Sequence, residues 1–378
     1  MRAALSLAGT LICAVSTADA GSLVAIGGGL DRDNRPIYEK IVALAGDEPL
    51  ICVFGTASSR AEQKAGRAVQ DFERYGAEAV AVDLTEANHR SNNRDPQVLA
   101  QIEACNGFFF AGGDQSRLTK ALLASPAHAA IRARFDAGAV VAGSSAGAAM
   151  MSEIMISGGD SLDSLAGGYD PVDTEPGLGF IGGVVIDQHF LEKGRLGRLL
   201  RVTAESGTPL GLGVDEDTAI VIPEDGPWEV IGKSSVVVLE VPEGTELQAI
   251  ENVNLSLLSN RDRYDPRSGA FIVHASREST AEAGPYYGEG LIATSDIFAP
   301  GALYDLITTL VDSPEDHAVG FAFHVSTDGS FTSDGVRLRF EKGRDTAGYW
   351  GRRTGGARYA AIRVKLSVEP IEVRVTAE

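Results

Sequence analysis

At 378 residues the chain is long enough for one large α/β domain with an extension, or for two domains. Its 44% hydrophobic and 22% charged residues exclude global disorder, and a net charge of −19 disfavours binding to nucleic acid or to an anionic membrane surface. Acidity alone identifies no partner, although it tolerates a cationic or zwitterionic substrate.

The chain opens with a processing signal. Arg2 supplies a positive start, Ala3–Val15 an apolar core, and Ala18-Asp19-Ala20 the small-x-small form of a cleavage site. The core is too short to span a membrane, and no later segment is long enough. Residues 1–20 therefore read as a secretory leader cleaved after Ala20, which implies a secreted or periplasmic protein. Without the leader two cysteines remain, Cys52 and Cys105. An oxidising compartment permits one disulfide between them. Cys52 lies inside an apolar strand pattern and Cys105 just before another, so two buried free thiols are the preferred expectation.

Ser22–Ile26 is a short apolar strand followed by Gly27-Gly28-Gly29. The glycine run lacks the G-x-G-x-x-G spacing of a phosphate cradle and reads instead as a tight turn beneath an active site. The pattern then predicts a helix over Tyr38–Ala45, a strand over Pro49–Phe54, and a helix over Ala61–Tyr75 capped by Gly76. A strand over Ala79–Val82, a helix over Asp95–Glu103 and a strand over Gly107–Ala111 follow. Ser116–Leu123 and Ala127–Ala137 are the next helices. This alternation predicts an α/β fold with a doubly wound, mostly parallel sheet. Such sheets bind ligands outside the carboxyl ends of their strands. The loops Gly27–Gly29, Gly55–Ser59 and Gly112–Gln115 all fall at that end.

Ala139–Ala142 is a further strand, and Ala146–Met151 reads as the start of a buried helix, with Ser152 and Glu153 as its next turn. Between them Gly143-Ser144-Ser145-Ala146-Gly147 matches G-x-S-x-G, the nucleophile elbow. A sharp strand-to-helix turn pushes the central serine hydroxyl outward and requires small neighbours. It also aims the next backbone N–H at a developing oxyanion. Ser145 is thus the candidate nucleophile and Ala146 N–H a candidate oxyanion donor. The same five residues also suit a glycine-rich turn whose serines only cap a helix.

Ser157–Gly179 is a loop-rich insert carrying Asp160, Asp163, Tyr169, Asp170 and Asp173. Val184–Ile186 is a strand ending in Asp187-Gln188-His189-Phe190. Lys193, Arg195, Arg198 and Arg201 follow on a helical stretch, a pattern that by itself reads as a solvated helix face. Leu210–Val214 runs into Asp215-Glu216-Asp217. Ala219–Ile222 and Ser235–Leu239 read as antiparallel strands at the sheet's edge. From about Leu291 the pattern changes to a helix near Ala302–Val311 and alternating segments Ala318–His324, Val336–Phe340 and Ala360–Val375. These predict a smaller β-rich or α+β extension, residues 286–378, behind a catalytic domain of residues 21–285.

A serine nucleophile needs a base, and the base an orienting carboxylate. Of the six histidines only His189 stands at the end of a core strand beside a polar cluster. None has metal-ligand spacing, so neither metal nor cofactor is expected. Glu216 is the matching acid, and side-chain alternation argues against Asp215 and Asp217 facing the same crevice.

The order Ser…His…Glu departs from the Ser…acid…His order of the α/β-hydrolases. Together, Gly112-Gly113-Asp114-Gln115, Gly143-Ser144-Ser145-Ala146-Gly147-Ala148, Asp187-Gln188-His189-Phe190 and Gly213-Val214-Asp215-Glu216-Asp217-Thr218-Ala219 resemble the cyanophycinase family. That family is grouped with peptidase E, the aspartyl dipeptidase, and the resemblance covers about Ser22 to Pro285. It implies a class I glutamine amidotransferase-like fold and a serine exopeptidase that cuts cyanophycin into β-Asp-Arg dipeptides. Cyanophycin is a poly-aspartate backbone with arginine on each β-carboxyl. The implied nucleophile, base and orienting acid are Ser145, His189 and Glu216, with Ala146 and Gly113 as the oxyanion hole. Gln115, Asp187, Gln188, Arg195 and Arg198 match substrate-binding positions. Lys193 stands where the family has arginine, which keeps the charge but loses the bidentate fork. Arg195 and Arg198 could clamp a substrate carboxylate, and Asp187 or Asp173 could receive a guanidinium. The resemblance also suggests a homodimer. An exported aspartyl or isoaspartyl dipeptidase of the peptidase E type, and a noncatalytic binding protein on the same fold, are the alternative readings.

Overall fold

The structure, a computed structural model, describes residues 21–166, 171–246, 250–324, 331–351 and 357–375. The expected leader, and Tyr169 and Asp170 of the insert, lie outside the described residues. Five strands run parallel in the order Glu78–Val82, Leu50–Phe54, Gly107–Phe110, Val140–Ser144, Leu23–Ile26. Alternation buries this sheet on both faces. Val24, Ile26, Ile51 and Val53 pack with Ile37, Ile41 and Phe72 of the helices Arg35–Leu44 and Ala61–Arg74. Leu23, Ala25, Cys52 and Phe54 point the other way, into the main core, where Phe54 stacks on Phe110 with ring centroids 4.7 Å apart. Asp95, Asp114 and Ser125 each accept a hydrogen bond from a backbone N–H two or three residues on, which starts the next helix. The mixed sheet with covering helices fits the α/β expectation. Beyond Leu23–Ile26 it continues antiparallel through Thr218–Ile222, Trp228–Gly232, Arg263–Asp265 and Ala270–Ile272.

The structure differs from the sequence expectation in three places. The elbow helix is only Ala146–Ala149. The N–H groups of Leu178, in the insert, and Ile181, just after it, take the carbonyls of Met150 and Met151, so the chain leaves the helix before Ser152. Second, Ser235–Glu240 does not pair with Thr218–Ile222 but with Leu210–Val214, in a second sheet. That sheet runs Val184–Gln188, Leu210–Val214, Ser235–Glu240, Ile250–Ser259, Tyr359–Val375, Phe331–Trp350, His317–Phe323, Ala293–Thr294. The C-terminal strands therefore extend the sheet that carries His189, and pairing of Ile250–Ser259 with Tyr359–Val375 crosses the expected boundary at residue 285. Alternation again gives the reason. Val236 and Val238 enter the core shared with the first sheet, whereas Val237, Leu239, Val253, Leu255 and Leu257 face Leu199, Ile307 and Leu310. Without the C-terminal strands Ile250–Ser259 would present an open edge.

Third, Cys52 and Cys105 form a disulfide with Cα atoms 5.8 Å apart, which corrects the expectation of two free thiols. Parallel pairing of Cys52 with Phe108 brings the residues just before Gly107 alongside Cys52, a proximity that spacing alone did not reveal. Cross-linking across 53 residues restricts the unfolded chain. Cys105→Ser is expected to lower unfolding free energy by about 2–4 kcal/mol. Denaturant titration of the oxidised protein and the variant measures this, and coincident midpoints would show that the bond carries no stability.

Candidate active site

Five segments meet at the carboxyl ends of their strands: Gly27–Gly29, Gly112–Gln115, the elbow, Asp187–Phe190 and Asp215–Asp217. Ser145 ends the elbow strand with φ 55° and ψ −112°, a conformation that costs a non-glycine residue roughly 1–3 kcal/mol. The glycines two positions to either side allow the turn because they lack side chains. A Cβ on Gly143 would lie 2.2 Å from the Gly147 carbonyl oxygen, and one on Gly147 would lie 2.3 Å from that of Phe110. The Ser145 N–H donates to the Ile26 carbonyl at 2.9 Å, which ties the elbow to the glycine turn.

Ser145 Oγ lies 2.9 Å from His189 Nε2 and 3.3 Å from Gln188 Oε1. On the far side of the ring, His189 Nδ1 makes a short hydrogen bond to Glu216 Oε1. His189 has φ 48°, held by its N–H on the Gly27 carbonyl at 2.6 Å. Gly28 lies directly against the imidazole, where a Cβ would come within 2.4 Å of Nε2. A Cβ on Gly29 would come within 2.7 Å of Glu216 Oε2. The glycine run is the tight turn beneath the site that its spacing suggested.

The acidic run divides its labour. The Asp215 carboxylate accepts from the Leu191 and Glu192 N–H groups, each at 3.0 Å, and from Ser234 Oγ at 2.6 Å. Asp217 accepts from Asn34 Nδ2 and Lys233 Nζ, each at 2.7 Å, and from the Asp31 N–H at 2.9 Å. Glu216 alone turns to the imidazole. Sequence reasoning did not find Asn34, Lys233 or Ser234, which lie in loops with no catalytic pattern.

Burial pushes the His189 pKa down and outweighs the hydrogen bond to Glu216, which pushes it up; Lys193 and Arg195 add to the lowering. A neutral ring that donates its Nδ1–H to Glu216 as a hydrogen bond leaves the Nε2 lone pair for the Ser145 hydroxyl. A Cβ on Gly112 would stand 3.7 Å from Ser145 Oγ. The loop continues through Gly113 to Asp114, whose N–H is fixed on the Ala57 carbonyl at 2.9 Å. Ala146 opens the short helix and Gly113 follows Gly112, and neither N–H is engaged by another described residue.

The basic residues sort differently from the sequence expectation. Arg198 Nε and Nη2 grip both oxygens of Asp187, at 2.7 and 2.6 Å, with side chains 7% and 1% exposed. Each therefore satisfies the other, which removes Arg198 as a carboxylate clamp and Asp187 as a guanidinium receptor. Their pairing supports the base instead, because Asp187 also accepts the Gln188 N–H at 2.9 Å. Arg195 donates to the Gln188 carbonyl at 2.7 Å, and Lys193 is exposed. Gln115 is buried and donates to the Ile156 carbonyl at 2.9 Å, at the edge of a cavity of about 570 Å³ that Asp114, Asp173 and Glu175 also line.

Residues 23–228 match the model of peptidase family S51. The chain is 36% identical over 256 residues to the cyanophycinase of Trichormus variabilis, covering 64% of this chain and 85% of that one. It is 33% identical over 260 residues to the cyanophycinase of Geminocystis herdmanii, covering 65% and 94%. A solved peptidase from an acI-B1 Actinobacterium superposes with a TM-score of 0.49 at 20% identity, covering 68% of this chain and 98% of that one. With the family match spanning more than half of the sequence, the chain belongs to peptidase family S51 and is a serine peptidase.

Proposed function

We propose that this serine peptidase degrades cyanophycin to β-Asp-Arg dipeptides, using Ser145 as nucleophile, His189 as base and Glu216 as orienting acid. The observation that carries the mechanism is the unbroken hydrogen-bonded line from Ser145 Oγ through His189 to Glu216. Similarity to curated cyanophycinases supports the substrate. Ser145 Oγ attacks an α-peptide carbonyl as Nε2 takes its proton. The N–H groups of Ala146 and Gly113 receive the oxyanion. His189 then gives the proton to the leaving amine, and an acyl-enzyme remains. In the second half, water loses a proton to His189, attacks the ester, and Ser145 is released with its proton restored. The cavity beside Gln115 offers Asp114 and Asp173 to a guanidinium. The disulfide agrees with an exported location, since such bonds persist in oxidising compartments.

The lowered His189 pKa gives a pH prediction. Protonated imidazole cannot act as base, so activity falls where pH drops through that pKa. The acid limb of kcat/KM is expected below the ordinary histidine value of about 6.5. An acid limb centred at or above that value would contradict the role given to burial. The function itself is tested by incubating residues 21–378 with insoluble cyanophycin and analysing the soluble products by mass spectrometry. Release of β-Asp-Arg is expected; a folded protein that releases nothing would overturn the substrate assignment.

A further inference from the structure

A separate cavity of about 440 Å³ opens between the loops carrying His189 and Glu216 and the C-terminal region. That volume is in the range of small-molecule sites. On the catalytic side it is walled by Leu191 and Glu192, two and three residues after His189, and by Asp215, next to Glu216 in the chain. On the other side stand Tyr304, Asp305, Arg358 and Tyr359, beyond the residues 23–228 shared with the family.

The lining falls into a fixed frame and free charges. The Tyr304 hydroxyl accepts the Arg358 N–H at 3.1 Å, and the Tyr359 hydroxyl donates to Asp312 at 2.7 Å, so both rings are held. Asp215 is occupied by the backbone of the His189 loop, and Lys233 by Asp31 and Asp217. Glu192, Asp305 and Arg358 are exposed, and none makes a side-chain hydrogen bond or ion pair with another described residue. Two free carboxylates, one free guanidinium and held aromatic faces complement a ligand that carries both a guanidinium and a carboxylate.

We propose that this cavity is a second binding site for a repeat unit of the polymer, distinct from the unit being cut at Ser145; the inference rests on the proposed function. The unit's guanidinium lies between Glu192 and Asp305 against the tyrosine rings, and its carboxylate meets Arg358. A polymer held here stays tethered beside the nucleophile, which raises the local concentration of scissile bonds without touching the reacting atoms. A soluble fragment of two repeat units, with one bond to cut, is too short to profit.

The test compares the full chain with an Asp305→Asn, Arg358→Gln double variant and with Glu192→Gln alone. Product release is measured from insoluble polymer and from the two-unit fragment. The ratio of polymer to fragment turnover is expected to fall roughly tenfold in the double variant. Sedimentation with the polymer, in a Ser145→Ala background, is expected to show less bound protein. An unchanged ratio, whether both activities hold or both fall together, would overturn the second site while leaving the proposed function intact. If the wild-type protein releases nothing from the polymer, the proposed function fails and this inference with it.

Discussion

Ser145→Ala is expected to lower kcat by roughly a million-fold while polymer binding persists, the loss seen when a serine nucleophile is removed from a triad. The size follows from the proposed chemistry, because no acyl-enzyme can form without the hydroxyl. The fold has little to lose. Among the described residues Ser145 Oγ hydrogen-bonds only to His189 and Gln188, and alanine keeps the Cβ that the elbow already accommodates. Alanine has no larger Cβ than serine, so the φ of 55° should persist in the variant. Glu216→Gln should lose less than Ser145→Ala, because the amide disturbs only the tautomer and the stabilisation of the imidazolium. Steady-state kinetics with circular dichroism decide the matter. Turnover within tenfold of wild type in a folded Ser145→Ala protein would remove Ser145 from the nucleophile's role.

Arg198→Ala is expected to be the most destabilising single change near the site, by about 3–5 kcal/mol. It leaves the Asp187 carboxylate, 1% exposed, with no bidentate partner. The residual contacts are the Gln188 N–H at 2.9 Å and Arg195 at 3.5 Å, too few to offset burial of the charge. Activity should fall with stability, since Asp187 and Gln188 lead directly into His189. Pairing Asp187→Leu with Arg198→Leu removes both charges and should recover part of the stability. Thermal melts of the single and double variants measure the pair. A single variant as stable as wild type would mean that water reaches Asp187 freely.

Much of this architecture was legible because its signals are local. The strand and helix periods of residues 22–144 and the small residues around Ser145 each follow from a short window of sequence. The pairing of His189 with Glu216 was legible because each stands just after a core strand. The geometry adds what no window contains, namely that Gly28 and Gly29 form the floor under both side chains. Long-range pairing was not legible. Ser235–Glu240 looks like an edge strand beside Thr218–Ile222, yet it turns into the second sheet because its two apolar faces need cover on both sides. Ile250–Ser259 alternates as a strand should at Val253, Leu255 and Leu257, but its partner Tyr359–Val375 lies far along the chain. The basic residues were legible by type but not by partner. A helix carrying Arg195, Arg198 and Arg201 looks the same in sequence whether its charges meet solvent, substrate or Asp187. The cysteines failed for a similar reason, since strand pairing and not spacing brings Cys52 to Cys105.

The most direct measurement is covalent capture of the activated serine. The folded protein is treated with a serine-reactive phosphonate, and intact and peptide mass spectrometry locate the adduct. One adduct on Ser145, with labelling slowed strongly in His189→Ala, is the expected result. An adduct on another residue, or none in a folded protein, would contradict a Ser145–His189–Glu216 peptidase.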